Sequence, residues 1–453
     1  MRPHPFLVLA LVGALLGFIF AGVSTYDFEQ HLDRQVHNVH CSFVPGLDDA
    51  DTGGSGCEVT LMSPYSSVLR SSTWGGVPIS LPAMSVFAFL LFFGVDLLIG
   101  RRQRDRRATG FFVLAALLPA LSSAVMGYIS LSELGAACKL CIGIYVSSAL
   151  VLTGALGLWI RARGEAAISG AGVDLADPEW ASGDEGDDER NAASVEPDPD
   201  ESSWDSGPSR AGGPASFGFL AAMFGLGLVF VAVPVGAYLA SAPDHSRFVG
   251  ACGELDERPD ESLLIEVGPQ SGVPALEVFD PLCPACRGFE EHLAQTKYHE
   301  QLARKAVLFP LDDECNWMID QAVHPGACAV SEAVLCAEDD ADRVIDWAFA
   351  HQEKLLETAG SSGGTDKVRD MIATEFPNVD GCLGSPKVRA RLNQSLRWAV
   401  DAELRVLTPQ IYVDGVRLCD EDVDLGLEFA LSTMLERHAK GTLDSTDADG
   451  EQP

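Results

Sequence analysis

The chain has 453 residues, 65 acidic against 31 basic, and a formal net charge of −34 at pH 7. That balance excludes nucleic acid as the expected partner, and the length allows roughly two or three domains. Twelve cysteines fall into close or plausible pairs, which fits an oxidising compartment.

Residues 6–24 are an unbroken apolar run of membrane-spanning length. A cleaved signal peptide is the competing reading; the missing Ala-x-Ala site and the spans that follow favour an uncleaved helix. Gly13 and Gly17 form a GxxxG spacing that allows close helix packing. The polar loop 26–79 carries Cys41 and Cys57, separated by a glycine- and aspartate-rich stretch that predicts flexibility. Residues 80–100 read as a second span. Arg101, Arg102, Arg104, Arg106 and Arg107 then fix the next loop on the cytoplasmic side by the positive-inside rule.

Residues 109–131 read as a third span, and the connector 132–135 is short enough to require a tight helical hairpin. A fourth helix opens at Cys138-Lys139-Leu140-Cys141 and ends at Arg161 and Arg163. Two thiols at this spacing sit together at a helix start and can close into a disulfide. At the mouth of a spanning helix they can meet both aqueous thiols and a lipid-soluble electron carrier; ordinary helix packing is the plainer alternative. Residues 164–214 are acidic and rich in Ser, Gly and Pro, which predicts a disordered cytoplasmic linker. A fifth span at 217–239 returns the chain to the side of Cys41, Cys57, Cys138 and Cys141.

Beyond it the composition is that of a soluble α/β domain. Residues 263–267, 275–279 and 306–309 read as strands, 325–402 as a helical region, 411–413 as a strand after Pro409, and 424–439 as a closing helix. Pro281-Leu282-Cys283-Pro284-Ala285-Cys286 lies between strand and helix. There Cys283 meets the unpaired amides and dipole of the helix start, which stabilise a thiolate. Pro284 suits the first turn, where no amide donor is needed, and Cys286 is the expected buried resolving thiol. A zinc site would need a second ligand pair, for which Cys315 and Cys328 are the candidates; the strand–motif–helix setting favours redox chemistry. Cys252, Cys315, Cys328, Cys336, Cys382 and Cys419 predict structural disulfides of open connectivity, with Cys315–Cys328 preferred because Pro325-Gly326 supplies a turn.

Residues 279–286, together with Thr408-Pro409 before the strand 411–413, resemble the thioredoxin superfamily over about 260–440. The resemblance implies a cis peptide bond at Pro409 beside the active disulfide, which proline permits at small cost. The long helical stretch is similar to the insertion of periplasmic dithiol oxidants. Residues 1–163 resemble the vitamin K epoxide reductase family, on Cys41, Cys57, Ser63, Gly76-Val77-Pro78-Ile79-Ser80 and the Cys138/Cys141 pair.

The two resemblances together imply a fold and an organisation. A four-helix membrane bundle covers 1–163, an acidic disordered linker 164–214, a fifth transmembrane helix 215–241, a thioredoxin-like α/β domain with a helical insertion 248–440, and a disordered tail 441–453. The implied function is a quinone-dependent thiol oxidase that makes disulfide bonds in exported proteins. Electrons would pass from substrate thiols to Cys283/Cys286, then Cys41/Cys57, then Cys138/Cys141, then a quinone, ubiquinone or menaquinone. Cys141 and Ser63 would lie nearest the quinone, with no metal. The implied partners are exported proteins with free thiols and the membrane quinone pool. The implied location is a bacterial inner membrane, with the thioredoxin-like domain on the periplasmic side. A membrane-tethered reductase or isomerase, and a peptide-binding chaperone with inert disulfides, are the alternatives.

Overall fold

The computed structural model describes residues 3–32, 60–61, 63–135, 138–171 and 215–443, with backbone alone at 31 and 165–171. The apolar runs become α1 (Pro5–Leu32), α2 (Ser80–Ile99), α3 (Arg106–Ser132), α4 (Lys139–Ala171) and α5 (Phe217–Ser241). Among the described residues, five helical stretches are long and apolar enough to cross a membrane: Pro5–Gln30, Ser80–Ile99, Arg106–Ser132, Lys139–Gly164 and Phe217–Phe248. Helix α4 continues past Arg163 to Ala171, into the stretch expected to be linker. Glu165, Ala166 and Ala167 favour helix, and no proline stops it there. The rest of that linker, 172–214, and the tail from 444 lie outside the described residues.

The described residues divide into two compact units. One takes in those of 1–26 and 80–236; the other takes in those of 27–39, 58–79 and 237–453.

In the first unit the core includes Phe87, Leu90, Phe93, Phe112 and Leu158. In lipid the helices gain by close packing, so small residues at the crossings matter. A Cβ at Gly13 would lie 2.8 Å from Leu150 Cβ, and one at Gly154 would lie 2.6 Å from the Ala10 amide nitrogen. Gly13 therefore serves the α1–α4 crossing, while Gly17 faces the ring of Phe87 on α2. Asp105 caps α3, its Oδ1 accepting from the Arg107 amide at 2.8 Å.

The second unit is built on a sheet of β3 (Ile265–Glu266), β4 (Val273–Phe279), β5 (Leu302–Leu308), β6 (Gln410–Val413) and β7 (Val416–Arg417). The strand order is β3-β5-β4-β6-β7, with β4 and β5 parallel and the other pairs antiparallel. Helix α6 (Pro284–Ala294) makes the crossover from β4 to β5. β4 and β5 alternate buried and half-buried residues in their middle and first halves respectively, and become buried on both faces only at their last three residues, next to the site. The strand expected at 263–267 is shorter than read. Asp260 Oδ1 accepts from the Ser262 amide at 2.8 Å and starts a 3₁₀ turn at Glu261–Leu263, leaving only Ile265–Glu266 extended.

Between β5 and β6 run α7 (Ala327–Ala337), α8 (Ala341–Ala350), α9 (Gln352–Ala359), α10 (Gly364–Glu375) and α11 (Pro386–Asp401); α12 (Leu427–Lys440) closes the unit. Disulfides join Cys252 to Cys419, Cys315 to Cys328 and Cys336 to Cys382, with Cα–Cα separations of 5.3, 5.9 and 5.8 Å. The preferred Cys315–Cys328 bridge is among them.

The loop read as polar at 26–79 contributes to the second unit. Its described part forms a ribbon of β1 (Ser67–Val68) and β2 (Val77–Pro78), paired antiparallel. Between these strands Trp74 donates from Nε1 to Asp422 Oδ1 at 2.9 Å, and Tyr238 Oη donates to the Gly76 carbonyl at 3.1 Å.

Under the sheet, fully buried Arg304 donates from Nε to Glu277 Oε1 at 2.6 Å and from Nη2 to Glu290. Burial first, and then the charge of Glu277, pushes the Glu290 carboxyl up, while Arg304 pulls it down. Removing one partner of such a pair leaves a buried charge uncompensated. Arg304→Leu is therefore expected to lower stability by about 3–5 kcal/mol, measured by chemical unfolding of the purified protein. An unchanged midpoint would contradict this reading of the cluster.

Candidate active site

Strand β4 ends at Phe279, and the buried Asp280 turns the chain into α6. Its Oδ1 accepts from the Leu282 amide at 2.7 Å, its Oδ2 from the Leu311 amide at 2.7 Å, and its carbonyl from the Cys283 amide at 3.0 Å. Cys283 thereby becomes the N-cap of α6, with Pro284 in the first turn. Cys286 falls on the inward face of the helix with Phe289 and Leu293, the i, i+3 and i+7 positions. Both cysteines are thiols, 5% and 2% exposed. The Thr408–Pro409 bond is cis, as the resemblance implied, and Cys283 Sγ donates to the Thr408 carbonyl at 3.5 Å. The structure thus brings Cys283, Cys286 and the cis-proline loop together.

The two thiols are made unequal by their surroundings. The hydrogen bond from Cys286 leads the effects on Cys283. Burial opposes it, while Thr408, the Cys286 amide and the charge of His324 add to it, taking the thiol from 9.0 to about 6. Burial, reinforced by the neighbouring Cys283, pushes Cys286 well above its ordinary value. One sulfur is then largely thiolate near neutral pH while the other keeps its proton, an inequality suited to an attacking and a resolving thiol.

Sequence reasoning missed His324. Its Nδ1 lies 2.8 Å from Asp280 Oδ2, so an imidazole sits behind the turn that carries Cys283. Burial works against the charged ring, but the hydrogen bond and charge of Asp280, followed by Cys283 and Asp312, outweigh it and raise its pKa. The only signal was a histidine just before Pro325-Gly326, at the edge of the region read as helical; no spacing rule ties it to residue 280.

In the first unit Cys138 occupies the N-cap position of α4. Its carbonyl accepts from the Ile142 amide at 3.0 Å, and the Cys141 amide points to Cys138 Sγ at 3.4 Å. Cys138 is buried and Cys141 half-buried, packed with Leu140, Phe20 and Val23. Cys41 and Cys57 lie outside the described residues.

Ser63 lies in the second compact unit and Cys141 in the first. The Ser63 hydroxyl donates to the Thr60 carbonyl at 2.8 Å, and its own carbonyl accepts from Arg70 Nη2. Arg70 also donates from Nε to Ser67 Oγ at 2.6 Å and from Nη2 to Ser66 Oγ at 3.0 Å. Burial brings its pKa down to about 10 against the pull of Glu428 and Asp424. The metal alternative loses its ligands, because Cys315 and Cys328 are bonded to each other. Cys252 and Cys419, grouped with Glu421, are likewise joined as a disulfide.

Alkylation of the reduced protein by iodoacetamide, followed by mass mapping, reads the thiolate directly. Cys283 should react with a midpoint near pH 6, being mostly thiolate above it and mostly thiol below. Cys286 should stay unreactive across that range. A Cys283 midpoint at the ordinary 9.0 would remove the asymmetry described.

Residues 8–156 match the vitamin K epoxide reductase family. Comparison with curated proteins gives no match. Three solved structures share similarity with the chain. A thioredoxin-like oxidoreductase from Silicibacter pomeroyi is 16% identical, covering 40% of this chain and 99% of its own, with a TM-score of 0.25. Reduced DsbA1 from Neisseria meningitidis is 18% identical, covering 41% and 99%, with a TM-score of 0.25. A linker-deletion mutant of ScsC from Proteus mirabilis is 14% identical, covering 50% and 98%, with a TM-score of 0.27. The assignment of the soluble fold rests on the strand order, the motif at the start of α6 and the cis-proline rather than on these scores. Residues 8–156 therefore match the vitamin K epoxide reductase family, within a membrane protein that continues into a thioredoxin-like domain bearing a pair of free thiols.

Proposed function

We propose that the protein is a quinone-dependent thiol oxidase that makes disulfide bonds in exported proteins. The observation that carries this reading is the Cys283 thiol held at about 6. A stabilised thiolate favours the reduced dithiol, which makes the corresponding disulfide an oxidant toward ordinary thiols. Relative to the ordinary 9.0, the preference is worth about 1.4 kcal/mol at pH 7 and approaches about 4 kcal/mol only above pH 9.

In this reading a substrate dithiol reduces the Cys283–Cys286 disulfide and leaves with its own disulfide formed. Cys283 then attacks the Cys41–Cys57 disulfide, and Cys286 resolves the mixed disulfide. The Cys41/Cys57 dithiol reduces Cys138–Cys141 in the same manner. That pair finally gives two electrons and two protons to a membrane quinone, closing its disulfide and releasing quinol. Cys141 and Ser63 are the proposed quinone contacts. Helices α1–α4 form the quinone-handling bundle, α5 is the crossing that carries the chain to the thioredoxin-like domain, and α7–α11 are an insertion in that domain. The arginines at 101–107 and at 161 and 163 support a cytoplasmic placement of those ends. An odd crossing then sets the soluble domain on the periplasmic side of a bacterial inner membrane, where exported proteins with free thiols are the clients.

Cys138→Ala and Cys141→Ala should each reduce peptide-driven quinone reduction to background while Cys283 still exchanges disulfides with peptide. Quinone reduction at the full rate by either variant would sink the relay.

A further inference from the structure

The segment from Leu311 to Cys328 is closed at its neck three times. The Leu311 carbonyl accepts from the amides of Val323 and His324, each at 2.9 Å. Asp312 Oδ2 accepts from the amides of Gly326 at 2.9 Å and Cys328 at 3.2 Å. The Cys315–Cys328 disulfide then ties the two arms covalently. The same segment carries His324 to Asp280, and Asp280 in turn holds the Leu311 amide and the turn before Cys283. Its outer part is only partly covered: Trp317 and Val323 are 51% and 60% exposed, whereas Asn316 is buried and donates from Nδ2 to the Pro310 carbonyl at 2.8 Å, and Met318 and Ile319 pack against the core. The neck is the part of the segment that adjoins His324, so it bears most directly on how the imidazole meets the buried carboxylate.

We propose that the Cys315–Cys328 disulfide and Asp312 act as a clasp that positions His324 against Asp280, and that through this contact a disulfide outside the Cys283–Cys286 pair tunes the reactivity of Cys283. The inference rests on the thiol–disulfide exchange read for Cys283 and assigns a positioning role to a bridge that stability alone would otherwise explain.

The charged groups around this contact decide the sign. His324 faces Asp280, Cys283 and Asp312, and Asp312 in turn faces Glu314. Cys283 faces Cys286, the Thr408 carbonyl and His324. With the clasp open, the imidazole leaves and the buried Asp280 carboxylate remains behind the Cys283 turn. A lost cation and an uncompensated anion both disfavour the thiolate. Cys283 should then need a higher pH to react.

The test is the alkylation profile of Cys283 in the full-length protein, which reads the thiolate whether or not quinone is the acceptor. Cys315→Ala/Cys328→Ala is expected to raise the midpoint and to slow alkylation near pH 6 by about tenfold. His324→Gln should move it in the same direction. All three substitutions together should move it no further than the larger effect, because they break one connection. Mass mapping of Cys252–Cys419 and Cys336–Cys382 verifies the fold of each variant. Should the double variant fail to fold, Asp312→Asn keeps both cysteines and is read in the same way. A profile that moves with His324→Gln but not with a folded clasp variant overturns the proposal, as does one that moves with neither.

Discussion

The soluble half of the molecule turns on one sulfur at the start of one helix. Cys283 caps α6 only because Asp280 ends β4 with a tight turn, its two carboxylate oxygens holding amides on both sides of the site. The cis Thr408–Pro409 bond then sets a carbonyl against the same sulfur. Each group is supplied by a different element, so the site exists only once the parallel β4–β5 pair and the antiparallel β6 are in register. The reactive thiolate is thus a product of the whole sheet, while the burial of Cys286 keeps the second sulfur in reserve.

The membrane unit obeys a different constraint. Its helices gain little from sequestering apolar surface in an apolar solvent, so the fit between backbones matters more. Gly13 and Gly154 leave room for α1 against α4, the helix that Cys138 caps. The cysteine pair at that helix start is positioned by backbone packing, whereas Cys283 is positioned by hydrogen bonds. Both pairs nonetheless share the placement at a helix start.

Much of this was legible in the sequence because it is local. Apolar runs of spanning length, arginine clusters and a Cys-x-x-Cys between a strand and a helix need no long-range information. The cis bond at Pro409 was legible through the resemblance to the thioredoxin superfamily, and proline permits it at small cost. What escaped depends on contacts distant in sequence. Residues 63–79 read as polar loop, yet Trp74 reaches Asp422 and the ribbon joins the second unit. His324 carried no periodicity to mark it, and its meaning comes from Asp280, which a separate strand supplies. The connectivity of Cys252 with Cys419 and of Cys336 with Cys382 likewise follows from tertiary packing rather than spacing. The continuation of α4 to Ala171 was masked by the acidic composition that follows it.

The transfer from the soluble dithiol to the membrane unit is the step on which the proposed relay stands. In Cys286→Ser protein the attack of Cys283 cannot be resolved, so the mixed disulfide should accumulate. Non-reducing mass mapping of that variant, in membranes supplied with quinone, should find Cys283 joined to Cys41 or Cys57. Finding Cys283 joined to neither, while the unaltered protein reduces quinone under the same conditions, would contradict the relay.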